Sequence, residues 1–356
     1  MRTLTAILLV LISGVSRADT FAYVSLAKDR KIAIYKVEPA TGALTHITDA
    51  PCEGEPGALV ANPAKTGLFA SLRPEGKLVA FRINPQSRSL THLNTIDAGP
   101  DPAHLSTDKE GRFLLAAYYV AGKVTIHAIE EGGSLRAKPV QSVPTADKAH
   151  AILLDRANHF AFVPHTGPNV IFQFAFNPST GELTPGNPPQ LQTAPNTGPR
   201  HIVFHPQLDI AYVSNEQGGS VTAYRFDKTS GSLQALPSVS TLPSGFSARN
   251  ACAEIKIHPT GRFLYISNRG HDSIARFRVD GRSGELTPLG QTPTEKTPRS
   301  FDIDPSGKFL YVCGEATNRI AAYQIDQETG GLTPLATVSV GKTPWWLAIV
   351  ELPPPN

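Results

Sequence analysis

Between Pro199 and Leu233 the chain reads PRHIVFHPQLDIAYVSNEQGGSVTAYRFDKTSGSL, and its apolar positions come in short runs. Ile202–Phe204 is apolar and ends at His205-Pro206; Ile210–Ser214 ends at the polar Asn215–Gly219. Val221–Phe226 alternates Val, Ala and Arg against Thr, Tyr and Phe, and Asp227–Gly231 then turns the chain. β-branched and aromatic runs cut by Gly, Pro, Asn and Asp predict antiparallel strands of a few residues each. No run of amphipathic helix stands out anywhere in the chain.

The pattern recurs. HPTGRFLYISNRGHDSIARFRVDGRSGELTPL from His258 and DPSGKFLYVCGEATNRIAAYQIDQETGGLTPL from Asp304 are its clearest copies. Each holds a turn with Pro and Gly, a strand rich in Phe, Leu and Tyr, a further strand, and a closing Gly-x-Leu. First strands open at Pro56, Pro102, Ala149, Pro199, Cys252, Pro298 and Pro344, 46 to 53 residues apart. The segment from Thr20 lacks a first strand, and PWWLAIVEL from Pro344 is a first strand with nothing after it. Each end supplies what the other lacks. A four-stranded unit at this period predicts an all-β, seven-bladed propeller of antiparallel strands, closed by N- and C-terminal strands sharing one blade. Closure also removes the sheet edges that an open array would expose. One domain is expected over residues 19–352.

Seven units are seven readings of each structural position. The closing turns repeat a glycine at Gly42, Gly181, Gly231, Gly284 and Gly330, as a turn with positive φ requires. Two columns are irregular instead. The openings of the first strands include Ala103-His104, His150-Ala151, Arg200-His201, Ala253-Glu254 and Arg299-Ser300, and the last includes Trp345-Trp346. The ends of the second strands include Leu72-Arg73, Tyr118-Tyr119, His165-Thr166, Asn215-Glu216, Asn268-Arg269 and Gly314-Glu315. In an up-and-down blade these places share one rim. His150, Arg200, His201, Glu216, Glu254, Arg269 and Arg299 are therefore expected around one mouth of the central channel, a natural position for a site. Buried Arg–Glu pairs and His–backbone bonds that tie blades together would use the same residue types. His205 and His258 fall in turns on the opposite rim.

Composition narrows the class. Of 356 residues, 40% are hydrophobic and 18% charged, which suits a soluble globular chain with a large core. The 31 Pro and 29 Gly are spread throughout, as many turns would require. The N-terminus stands apart: Arg2, an apolar run from Leu4 to Val15, then Ser16-Arg17-Ala18. This reads as a secretory signal peptide, residues 1–18, cleaved after Ala18, and predicts a periplasmic or secreted protein with no membrane contact afterwards. The full chain carries a formal charge of +3, and the signal segment holds two of its arginines and no acid. Nothing in that balance suggests a nucleic-acid partner. Cys52, Cys252 and Cys313 form neither a disulfide framework nor a metal motif. A monomer is expected, because a closed propeller needs no partner.

The segments GPRHIVFHPQLDIAYVSNE (Gly198–Glu216), AEIKIHPTGRFLYISNRGHDSI (Ala253–Ile274) and TPRSFDIDPSGKFLYV (Thr297–Val312) resemble those of the seven-bladed propeller lactonases. That family includes 6-phosphogluconolactonases and carboxymuconate-lactonizing enzymes. The resemblance spans nearly the whole chain after residue 18. It implies an active site of His150, Arg200, Glu216 and Arg269, with His201, Asn215, Glu254, Asn268, His271 and Arg299 as further substrate contacts. His165 and Glu315 depart from the family pattern. Lactone hydrolysis needs an activated water and a stabilised oxyanion, and neither demands a metal or cofactor. His150 or Glu216 would be the base, Arg200 the oxyanion or carboxylate contact, and Arg269 the substrate anchor. Two other readings stand beside hydrolysis of a sugar-type lactone. One is a muconate-type cycloisomerase using the same residues on a carboxylate substrate, and the other is a non-catalytic binding propeller.

Overall fold

The computed structural model describes residues 18–354. The signal-peptide expectation, apart from Ala18, lies outside the described residues. Seven antiparallel sheets form the ring. Blade one takes its innermost strand, Pro344–Leu352, from the C-terminal end, followed outward by Asp19–Leu26, Lys31–Val37 and Leu44–Pro51. Blades two to seven open at Pro56, Pro102, Leu153, Pro199, Ala251 and Pro298. The only described helical turn is the 3₁₀ segment Ala27–Asp29. Among the described residues no helix is long and apolar enough to cross a membrane.

Burial follows the pleat. The second and third strands are almost entirely buried, whereas outer strands such as Leu332–Ser339 are mostly exposed. Apolar side chains of adjacent blades interleave; Phe263, Tyr265 and Ile274 of blade six pack with Phe301, Leu310 and Val312 of blade seven. Polar hooks then fix each blade to the next. The hydroxyls of Tyr212, Tyr265 and Tyr311 donate to the carbonyls of Gly284, Gly330 and Gly42 at 2.9, 3.2 and 2.9 Å. On the rim of the first turns, His205 and His258 donate through Nε2 to the carbonyls of Gly261 and Gly307 at 3.1 and 2.9 Å.

Two blades depart from the regular plan. In blade four the first strand shrinks to Leu153–Leu154, preceded by an isolated bridge between Ala149 and His165. The His150 N–H still bonds the Pro164 carbonyl within the blade at 3.0 Å, but at Ile152 the backbone is bonded sideways to blade three. The Ile152 N–H meets His104 Nδ1 at 3.5 Å, and the Ile152 carbonyl accepts from Ser106 Oγ at 2.9 Å. In blade five the outer strand breaks into Leu233–Ala235 and Val239–Ser240 around Pro237, which has no N–H for the ladder. All three cysteines are free, with Cys252 and Cys313 buried.

The closing-turn glycines have φ between +70° and +79°. At Gly231 a β-carbon would clash with the Phe160 ring of the preceding blade. Backbone conformation and inter-blade packing therefore demand glycine together. Gly231→Ala is expected to cost at least about 1–2 kcal/mol from the left-handed backbone alone, with the clash adding to it. Urea unfolding of the two proteins measures this, and an unchanged midpoint would contradict it.

Candidate active site

The rim where first strands begin and second strands end carries a cluster of charged and aromatic side chains. Its geometry begins with β-bulges. In blade five the pairing runs Pro199 with Asn215 and then His201 with Ser214, so Arg200 is the extra residue. Arg299 is the extra residue in blade seven in the same way. Strict alternation would send neighbouring side chains to opposite faces. A bulge re-aims them, and it lets Arg200 and His201 both reach the site.

Arg200 is 1% exposed. Its Nη1 lies 3.3 Å from His201 Nε2, and its Nε lies 3.4 Å from Glu216 Oε2 without the alignment of a hydrogen bond. Glu216 Oε1 accepts from Arg269 Nη2 at 2.8 Å, and the Arg269 Nε and Nη2 also donate to the carbonyls of Ala251 and Cys252, both at 3.3 Å. Burial tends to raise the Glu216 pKa, but Arg200 and Arg269 outweigh it and hold this carboxyl below the usual range. His201 Nδ1 meets the buried Glu254 Oε1 at 3.0 Å.

Around the His201 ring stand His150, His104 and Trp346, with ring centroids 5.1, 5.3 and 5.7 Å away. The Tyr119 ring meets His150 edge to face, with centroids 5.5 Å apart. His150 Nδ1 is buried and has no hydrogen-bond partner among the described residues. Burial, and then the charge of Arg200, hold His150 well below its ordinary pKa, so the imidazole is neutral. Across the mouth, the guanidinium groups of Arg73 and Arg299 lie 5.4 and 5.1 Å from the Trp345 ring centroid. Arg73 pairs with Asp101 at 2.5 Å, and Arg299 reaches Glu315 only at 3.9 Å. Burial and the charges of Arg269 and Arg73 push Arg299 down to about 10. The mouth is thus rich in cations, a setting that favours an anionic or carbonyl oxygen.

His150, Arg200, His201, Glu216, Glu254, Arg269 and Arg299 are all parts of this cluster. Asn215 and His271 are directed into their own blades, and Asn268 is directed to the end of the blade-five outer strand. Asn215 Nδ2 donates to Ser220 Oγ and Thr222 Oγ1 at 2.9 and 2.8 Å. Asn268 binds Thr241 through both its oxygen and its nitrogen. His271 Nδ1 bonds Ser273 Oγ at 2.7 Å, and its ring packs on Phe246 of the blade five to six connection. Sequence reasoning passed over Arg73, His104, Tyr119 and Lys256. The first three sit in the same irregular columns as the chosen residues, which was the available signal. Lys256 lies farther along the blade-six first strand and pairs with Asp302 at 3.3 Å.

Among the described residues no group of three or more His, Cys, Asp or Glu is placed to hold a metal ion. A cleft of about 660 Å³ opens on the opposite rim beside Lys65, Arg82, Arg112 and Glu130. The chemistry described above is at the narrow mouth bounded by Arg73, Arg299, Trp345 and Trp346.

Fold and site define a seven-bladed propeller with an Arg- and His-rich channel mouth. The family described as "Lactonase, 7-bladed beta-propeller" matches residues 20–349, and the chain belongs to that family. A 6-phosphogluconolactonase of an Enterobacter species is 31% identical over 290 residues, covering 82% of this chain and 73% of its own length. One from Pectobacterium carotovorum is 36% identical over 201 residues, 56% of this chain; the match spans only 60% of that relative. The solved structure of a periplasmic gluconolactonase from Pseudomonas aeruginosa superposes with a TM-score of 0.88 at 23% identity. That superposition covers 94% of this chain and all of the other, and at this identity it speaks for the fold.

The buried histidines make stability pH-dependent. Burial, as the largest cause, pushes His104 down to about 3 and His201 and His165 to about 4. The unfolded chain takes up protons at these positions first. Their stabilisation is complete above about pH 6.5 and is lost as pH falls toward 4. Urea midpoints measured from pH 7.5 to 4.5 should fall steadily below about 6.5; a flat profile would contradict this.

Proposed function

We propose that this protein hydrolyses a sugar-type lactone. The observation that carries the reading is the meeting, at one mouth, of a neutral His150 with an unpartnered ring nitrogen and the buried Arg200 of the next blade. His150 accepts a proton from water as the water oxygen attacks the lactone carbonyl. Arg200 meets the oxyanion that develops. The ring C–O bond then breaks, and the proton on His150 passes to the leaving alkoxide, giving the open hydroxy acid. The proton-accepting role goes to His150 because two arginines bind Glu216 and weaken it as a base. Glu216 holds the two guanidinium groups in register, and Arg269 anchors the substrate on the blade-six side. The relatives named 6-phosphogluconolactonase support a sugar acid lactone, and the surplus of arginines suits a substrate bearing an anionic group.

The reading extends to location. Arg2, the apolar run Leu4–Val15 and Ser16-Arg17-Ala18 are the parts of an export signal. A protein acting outside the cytoplasm would meet exported sugar lactones.

A panel of sugar lactones, with and without a phosphate group, tests this on wild type and Arg200→Ala. Wild type is expected to release acid, followed in a pH-stat. Arg200→Ala should lose roughly 10²–10³ in kcat, the usual effect of removing an oxyanion donor. If wild type turns over none of the panel, the enzyme reading fails for those substrates.

A further inference from the structure

The His201 ring joins Arg200 at one nitrogen to Glu254 at the other, and their donors and acceptors leave His201 one arrangement. The Glu254 carboxylate is buried, which tends to raise its pKa, but the charges of Lys256 and Arg200 and the hydrogen bond from His201 outweigh burial and hold it well below the usual range. It is therefore ionised and can only accept, so His201 Nδ1 must carry the hydrogen across that 3.0 Å contact. Arg200 can only donate, so His201 Nε2 must present its lone pair across the 3.3 Å contact. The His104, His150 and Trp346 rings pack around the imidazole. Glu254 is held in turn, because Oε1 also accepts the Ile255 N–H at 3.2 Å.

We infer that Glu254 and His201 are a positioning pair: Glu254 fixes the Nδ1–H tautomer of His201, whose bare Nε2 then holds the Arg200 guanidinium in place. This rests on the reading of Arg200 as the oxyanion contact. It divides the work of two neighbouring histidines. The His201 lone pair is occupied by Arg200, so His201 is not available as a base. The Nδ1 of His150 has no partner among the described residues. It also explains a buried carboxylate that takes no direct part in lactone opening. A protonated His201 would turn a second donor toward Arg200 and release it.

Nitrogen NMR of protein labelled in its histidines reads the tautomer without any activity. The signals of residue 201 are those lost in His201→Gln. At pH 7 wild type should show Nδ1 protonated and Nε2 bare. An Nε2–H tautomer or an imidazolium there overturns the inference. In steady-state assays Glu254→Ala should lose roughly tenfold to a hundredfold in kcat with KM little changed, the scale of a small misplacement of a catalytic group. Glu254→Gln should restore most of it, since its amide oxygen can accept from Nδ1–H. A folded Glu254→Ala with full kcat, or a Glu254→Gln no better than alanine, also overturns it. If Glu254→Ala does not fold, the wild-type tautomer decides alone. A wild type inactive on every lactone would sink the proposed function, and the tautomer would still decide the positioning pair.

Discussion

Closure of the ring is the constraint on which the rest of the molecule depends. Pro344–Leu352 pairs with Asp19–Leu26 from Asp19 opposite Leu352 to Leu26 opposite Pro344, joining the two ends of the described chain in one sheet. A single blade cannot bury both faces, so each relies on its neighbours and the last relies on the first. Closure also brings Trp345 and Trp346 to the mouth, where they face side chains from blades two, three, five and seven. The strand that seals the fold thus supplies a wall of the site.

Rigidity at the far rim and chemistry at the near rim come from different parts of each repeat. The closing turns, with their glycines and tyrosine hooks, are regular because every blade must seat against the next. The bulged openings of the first strands are irregular, and they carry Arg200 and Arg299. A bulge gives up ladder bonds to point a side chain where the pleat would not. The scaffold bears that local loss because the second and third strands are so fully buried.

Electrostatics then sorts residues that look alike in sequence. His150 and His201 are neighbours in space and both neutral. One faces a donor-only arginine and an acceptor-only carboxylate; the other keeps a free nitrogen. Glu216 and Glu254 are both ionised, yet one binds two arginines and the other binds a histidine. Burial raises the stakes, since a buried charge without a partner is costly.

The repeat, the number of blades, the shared closing blade and the rim on which the irregular residues fall were all legible in the sequence. They follow from local chemistry: a period-two pleat, turns that need glycine, and a spacing that recurs. Ring closure also followed, because the half-unit from Thr20 and the lone strand from Pro344 complete each other. The sequence could not tell which rim residues face the mouth. Asn215 and Asn268 sit beside Glu216 and Arg269 in the chain, yet they bond inward to Thr222 and Thr241. Arg73, His104 and Tyr119 gained meaning only when distant blades met. Nor could a pattern of alternation foresee that Arg200 and His201 reach the same site. Those choices depend on bulges, on contacts between residues about fifty positions apart, and on which donor meets which acceptor, and the tertiary structure alone brings these together.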